Sequence, residues 1–129
     1  MLKIRKNKIL KLPKKVPHEI VFFHECGDIT PTRNPPIFEN AKLVIFNECN
    51  KNFMYYWFFP RMFPNVKTVY IDRICDKEIF RFTNLNVYTG THSYNKHKDS
   101  IWCEPNNCLK NNVKIHLFND FETLKVLSN

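Results

Sequence analysis

The sequence predicts an α/β repeat fold, a short irregular solenoid, and three observations predict it. The first is internal repetition. His18-Glu-Ile-Val-Phe-Phe-His-Glu-Cys26 lines up with Ala41-Lys-Leu-Val-Ile-Phe-Asn-Glu-Cys49, sharing Val, Phe, Glu and Cys at matching places with a period of 23 residues. A period in this range is the signature of stacked supersecondary units. The second is length, since 129 residues make one domain that can bury a core without disulfides or metal. The third is residue choice. Hydrophobic residues at 43% and aromatics at 15% exclude global disorder. A single Ala (Ala41) argues against long helices, whereas the abundant Val, Ile, Phe, Tyr and Asn suit short strands and turns.

Residues 1–15 open the chain as a basic segment. They hold Lys3, Arg5, Lys6, Lys8, Lys11, Lys14 and Lys15, part of 20 basic residues, and none of the 12 acidic ones. The net charge of +8 is therefore concentrated here, and the remainder is close to neutral. Leu2 with Ile4, then Leu10 with Leu12, alternate as half-buried strands do, and Lys6-Asn7 offers a turn between them. The segment reads as a capping strand or hairpin that keeps its lysines in water. An arm that contacts phosphates or an acidic partner is the other reading, and the two are compatible.

The first repeat strand falls within His18 to Cys26. Thr30 to Pro36, with Pro31, Pro35 and Pro36, is an extended loop leading to the second strand within Ala41 to Cys49. Asn52 to Phe59 forms two helical turns, stopped by Pro60. The aromatic run Phe53 to Phe63 belongs to the core, with Trp57 or Tyr55 becoming a partner anchor if exposed. A third copy, Val66 to Cys75, keeps apolar residues at Val66, Val69 and Ile71. Weaker copies follow at Phe82 to Val87 and Val113 to Leu117, with Leu85 and Ile115 in the place of Val69. Gly90 to Asn112, around Ile101-Trp102-Cys103, is a polar excursion. The organisation is a cap or arm at 1–15 and one irregular solenoid domain at 16–129, with the excursion at about 90–112.

These residues resemble the leucine-rich repeat, which places apolar residues at positions 1, 4, 6 and 11 and Asn or Cys at 9. Ala41, Val44, Phe46 and Cys49 take positions 1, 4, 6 and 9. Val21, Phe23 and Cys26 take 4, 6 and 9, with His18 at position 1. Phe63 to Ile71 looks like the approach to a repeat strand of this family. The resemblance covers roughly residues 16–120 and is degenerate: leucine is not dominant, spacings are irregular, position 11 is poorly defined, and the third and fourth copies lack a position-9 Asn. It implies short parallel strands with positions 4 and 6 pointing inward, and Cys26 and Cys49 tucked under the turns as structural thiols. The alternative is an ordinary small α+β domain with look-alike strands. Abundant Asn, Lys, Ile and Phe with scarce Ala and Gly fit an AT-rich genome, so the chain resembles such proteins of large AT-rich DNA viruses.

The outward strand positions are the natural binding face of a solenoid. One column is Phe22, Ile45, Tyr70, Asn86 and His116, and the next is His24, Asn47, Asp72, Tyr88 and Phe118. Mixed aromatic and polar, they suit a protein partner, or are covered by a loop or a neighbouring subunit. Cys103-x4-Cys108 near His92 and His97 lacks the second ligand pair of a zinc site, so no metal is expected. His24-Glu25-Cys26 suggests an activated thiol, but its counterpart Asn47-Glu48-Cys49 has no histidine, which favours a structural role. No Gly-rich phosphate loop, metal-binding helix or nucleophile elbow is present, and no cofactor is expected.

The five cysteines, with no secretory signal and no apolar run of membrane-spanning length, point to a soluble protein in a reducing, cytoplasmic compartment (host cytoplasm or virion if viral). The functional expectation is a non-enzymatic interaction or assembly protein, a viral structural component being one version, with a protein partner or self-association. The alternative is a nucleic-acid-associated basic factor contacting phosphates through residues 1–15.

Overall fold

Val21-Phe22-Phe23 and Val44-Ile45-Phe46 are continuous apolar runs, as parallel strands buried on both faces require. In a computed structural model, which describes residues 1–72, 78–90 and 111–118, both runs lie in strands. The strands are β1 (Leu2–Arg5), β2 (Ile20–His24), β3 (Leu43–Asn47), β4 (Thr68–Ile71), β5 (Asn86–Gly90) and β6 (Lys114–Phe118). They form one sheet in sequence order, and every neighbouring pair is parallel. Among the described residues the helices are α1 (Lys51–Trp57) and two short 3-10 turns at Lys6–Lys11 and Glu78–Arg81. None is long and apolar enough to cross a membrane.

One face of the sheet carries the core. Ile4, Val21, Phe23, Val44, Phe46, Val69, Ile71 and Val87 are all buried there, alternating along each strand with residues of the other face. Phenylalanines fill the layer beneath. The Phe23 ring stacks on Phe46 with centroids 5.2 Å apart and meets Phe53 at 5.2 Å, while Phe38 stacks on Phe63 at 4.7 Å. α1 begins at Asn50, whose side chain accepts the Asn52 amide at 2.9 Å, and contributes Phe53, Met54 and Trp57 to this layer. Trp57 Nε1 donates to the Ile29 carbonyl at 2.7 Å, which satisfies its one buried donor. The helix ends three residues before Pro60, close to the predicted stop.

The turns leaving the strands repeat. Lys6, Glu25 and Glu48 each follow a strand with positive φ (55°, 53° and 55°), which turns the chain off the sheet. The next residue is Asn7, Cys26 or Cys49. Cys26 Sγ donates to the Ile4 carbonyl at 3.6 Å and Cys49 Sγ to the Phe23 carbonyl at 3.4 Å, so each thiol ties its turn to the preceding strand. Asparagines tie the approaches to the strands in the same way: Asn40 Nδ2 donates to the Pro17 carbonyl and Asn65 Nδ2 to the Glu39 carbonyl, at 3.3 and 2.6 Å.

Three expectations need correction. The N-terminal segment contributes one edge strand of the sheet and not a hairpin. β1 pairs with β2 in the register Leu2↔Val21 and Ile4↔Phe23, and the chain then leaves through the left-handed Lys6 into a 3-10 turn. That turn buries Ile9 completely and leaves Leu10 46% exposed. Second, the fourth copy is shifted by two residues: Val87, not Leu85, stands beside Val69. Leu85 is buried ahead of the strand, where Val66 approaches β4, and Asn84 at φ 58° leaves a shorter approach. Third, the core place after Val87 is taken by Thr89, a polar residue, 1% exposed, whose Oγ1 has no hydrogen-bond partner among the described residues. The excursion at about 90–112, with His92, His97, Cys103 and Cys108, lies almost wholly outside the described residues.

Candidate functional site

The second face of the sheet is built from the residues that alternate with the core. Its central row is Lys3, Phe22, Ile45, Tyr70, Tyr88 and His116, one from each strand. Parallel strands lie about 4.8 Å apart, which is the separation at which rings on equivalent residues stack. Tyr70 stacks on Tyr88 and Tyr88 on His116, each with centroids 4.6 Å apart and planes within 18°. Toward β1 the row becomes a small apolar cluster of Phe22 and Ile45 with Leu43 and Tyr70. Ile45 is fully covered and Phe22 is 5% exposed, so the accessible parts of the row are Lys3 at one end and the tyrosines and histidine at the other. Burial, and the neighbouring Tyr88, push the Tyr70 phenol up.

A polar row runs beside it through Arg5, His24 and Asn47. The Asn47 side-chain amide is hydrogen-bonded to His24 Nδ1 at 3.2 Å, and His24 Nε2 lies 3.1 Å from Glu25 Oε1. Arg5 pairs with the same carboxylate at 3.3 Å and holds it below the usual carboxylate range. Asp72, just past β4, accepts the Glu48 amide at 2.7 Å and so caps a turn. Lys3, Arg5, Phe22, His24 and Asn47 with Ile4 line a hollow of about 330 Å³.

The ten residues predicted for the binding face are brought close to the predicted arrangement. Phe22, Ile45, Tyr70 and His116 share a row, and His24 and Asn47 share the next. The two-residue shift of β5 exchanges the remaining places. Tyr88 stands in the central row, and Asn86 stands one step earlier beside Thr68 and Lys114, where its Oδ1 accepts from His116 Nε2 at 3.3 Å. Phe118 pairs with Gly90 rather than Tyr88. Of the basic residues, Lys3 and Arg5 belong to this face, whereas Lys6, Lys8, Lys11, Lys14 and Lys15 lie exposed beyond it. Sequence reasoning missed that membership. The signal was available: Leu2, Ile4 and Asn7 repeat the spacing of Val21, Phe23 and Cys26.

The cysteines lack the setting of a nucleophile. Cys26 is 1% exposed and Cys49 7%, and both are free thiols. A hydrogen bond with Cys26, and then burial, push the Cys49 thiol far above its ordinary value, which disfavours the reactive thiolate. The His24 ring is occupied by Asn47 and Glu25, while the Cys26 thiol faces the Ile4 and His24 carbonyls. His24, Glu25 and Glu48 offer ligand atoms within 4.8 Å of one another, but the Arg5 pair already neutralises Glu25.

Fold and face together define a parallel-sheet protein with one closed core face and one mixed aromatic and polar face. A family model described as a family of unknown function (DUF5845) matches residues 21–102, from β2 past β5, and the chain belongs to that family. No curated protein and no solved structure matches the chain.

Proposed function

We propose that this chain is a non-enzymatic interaction or assembly protein on a leucine-rich-repeat-like solenoid, and that the second sheet face binds a protein partner. The observation that carries this reading is the stacked Tyr70–Tyr88–His116 row, continued by Lys3 and Arg5 at the β1 end. Stacked aromatic rings present contact area at little further conformational cost, which is how interface anchors work. The partner's chemistry follows: an apolar or aromatic side chain over Tyr88, and a carboxylate directed at Lys3 and Arg5. The repeated turns at Lys6-Asn7, Glu25-Cys26 and Glu48-Cys49 support the solenoid reading. Buried free thiols suit a reducing, cytoplasmic location.

A random-peptide library selected against the intact chain tests the reading. Acidic, aromatic-containing peptides should be enriched, and they should lose at least tenfold in affinity to the folded Tyr88→Lys variant. Binders indifferent to that substitution and to Lys3→Glu, or no binders at all, would refute it. Phosphate contact through the basic segment is a second reading, favoured by the exposure of all seven of its cations. Binding to duplex DNA that fades with salt and with substitution of Lys8 and Lys11 would support it.

A further inference from the structure

A separate hollow of about 640 Å³ lies among the connections between strands, away from the aromatic row. It takes one arginine from each of three successive connections: Arg33 between β2 and β3, Arg61 between β3 and β4, and Arg81 between β4 and β5. The rest of the lining is Tyr55, Tyr56, Phe59, Thr32 and the prolines Pro31 and Pro35, with no carboxylate among the described residues. None of the three arginines forms an ion pair with a described residue. Three guanidiniums gathered with no counter-charge among the described residues repel one another, and an anion in the hollow relieves that repulsion.

The arginines divide by role. Arg81 is pinned, donating to the Tyr55 and Phe58 carbonyls at 3.0 and 3.1 Å near the end of α1, with its guanidinium 3.9 Å from the Phe59 ring centre. Arg61 lies over the same ring at 4.9 Å. Arg33 and Arg61 are exposed, and no described residue takes up their hydrogen-bond donors, which can turn to a ligand. Tyr55 is 54% exposed, and among the described residues its ring meets Tyr56 edge-on at 5.2 Å and the Arg81 guanidinium at 5.4 Å. A large aromatic left open at the mouth of a basic hollow offers a flat face to another flat group.

Free guanidiniums together with open aromatic faces are the two components that bind single-stranded nucleic acid: cations follow the phosphates and rings stack on the bases. An acidic peptide would satisfy the arginines but not use Tyr55, and a duplex has no free base faces. We propose that this hollow binds one or two nucleotides of single-stranded RNA or DNA, with Arg33 and Arg61 on the phosphates and Tyr55 stacked on a base. The site is distinct from the sheet face proposed for a protein partner.

The test is fluorescence anisotropy of the full chain with a labelled mixed-sequence single strand of about ten nucleotides, titrated at low and high salt. Wild type binds at low salt and weakens as salt rises. Tyr55→Ala weakens binding on the order of tenfold, Tyr55→Phe restores it, and the Arg33→Ser/Arg61→Ser pair both weakens binding and flattens the salt dependence. Polyglutamate of equal charge is indifferent to Tyr55→Ala, a mononucleotide binds more weakly than the strand, and Tyr88→Lys binds the strand as wild type does. Tyr55 and Arg61 are exposed, so these variants fold. The proposal is overturned if the single strand does not bind at low salt, or if Tyr55→Ala and the double arginine variant bind like wild type. It also falls if only Lys8 and Lys11 substitutions matter, or if a free mononucleotide binds as tightly as the strand.

Discussion

Replacing Phe23 by alanine tests which face of the sheet is the core. Phe23 is completely buried, and its ring meets four others: Phe46 and Phe53 at 5.2 Å, Phe38 at 5.8 Å and Phe63 at 6.2 Å. Those four are themselves fully buried or nearly so and held by further contacts, such as Phe38 on Phe63 and Phe46 against Phe58. They cannot collapse into the space left behind, so the loss falls in the upper part of the ~3–5 kcal/mol range for truncating a buried phenylalanine. Phe22, one residue earlier and on the other face, belongs among the described residues to a smaller cluster with Ile45, Leu43 and Tyr70 and stacks on His24 at 5.9 Å, so Phe22→Ala removes about 2 kcal/mol. A domain of this kind has roughly 5–15 kcal/mol in all, so Phe23→Ala takes away a third or more. Urea unfolding followed by circular dichroism at equal m-value measures both. A Phe23→Ala loss no larger than that of Phe22→Ala would refute the assignment of faces.

Three further outcomes follow from particular contacts. Thr89→Val removes a buried hydroxyl that has no partner among the described residues and keeps the side-chain shape, so it should raise stability by about 1 kcal/mol in the same unfolding measurement. Deleting residues 1–15 strips Ile4 and Ile9 from the core, at about 1.5–3 kcal/mol each, and uncovers the β2 edge, so the shortened chain should be less stable and aggregate in light scattering. Glu25, held low first by its hydrogen bond to Arg5, should titrate below an ordinary glutamate by NMR and return toward normal in Arg5→Gln. Because its folded value is depressed, the pair's small contribution is present above the ordinary carboxylate range and is lost as pH falls through the folded value.

How much was legible in the sequence depended on how strongly one alternation was enforced. β2, β3 and β4 could be read because Val21 and Phe23, Val44 and Phe46, and Val69 and Ile71 repeat one spacing with no competing register. β5 misled because Leu85 and Val87 offer that same spacing two residues early, while the true partner of Ile71 is the polar Thr89. Only the left-handed Asn84, which leaves a shorter approach to the strand, separates the two registers. β1 reads in the sequence as a cap rather than as the first member of the series, because its lysines dominate the pattern and its turn carries Asn7 where those after β2 and β3 carry Cys26 and Cys49. The arginine hollow was not legible at all. Arg33, Arg61 and Arg81 are distant in sequence and meet only because three successive connections leave the sheet on the same side.

The measurement that bears most directly on the central claim is amide chemical-shift mapping of the intact chain with the tightest peptide from the library selection. The account predicts that the largest changes fall on Phe22, His24, Tyr70, Tyr88 and His116, with Lys3 and Arg5 at the β1 end. Changes confined to Thr32–Arg33, Tyr55–Arg61 and Arg81, or to the exposed lysines after β1, would contradict it.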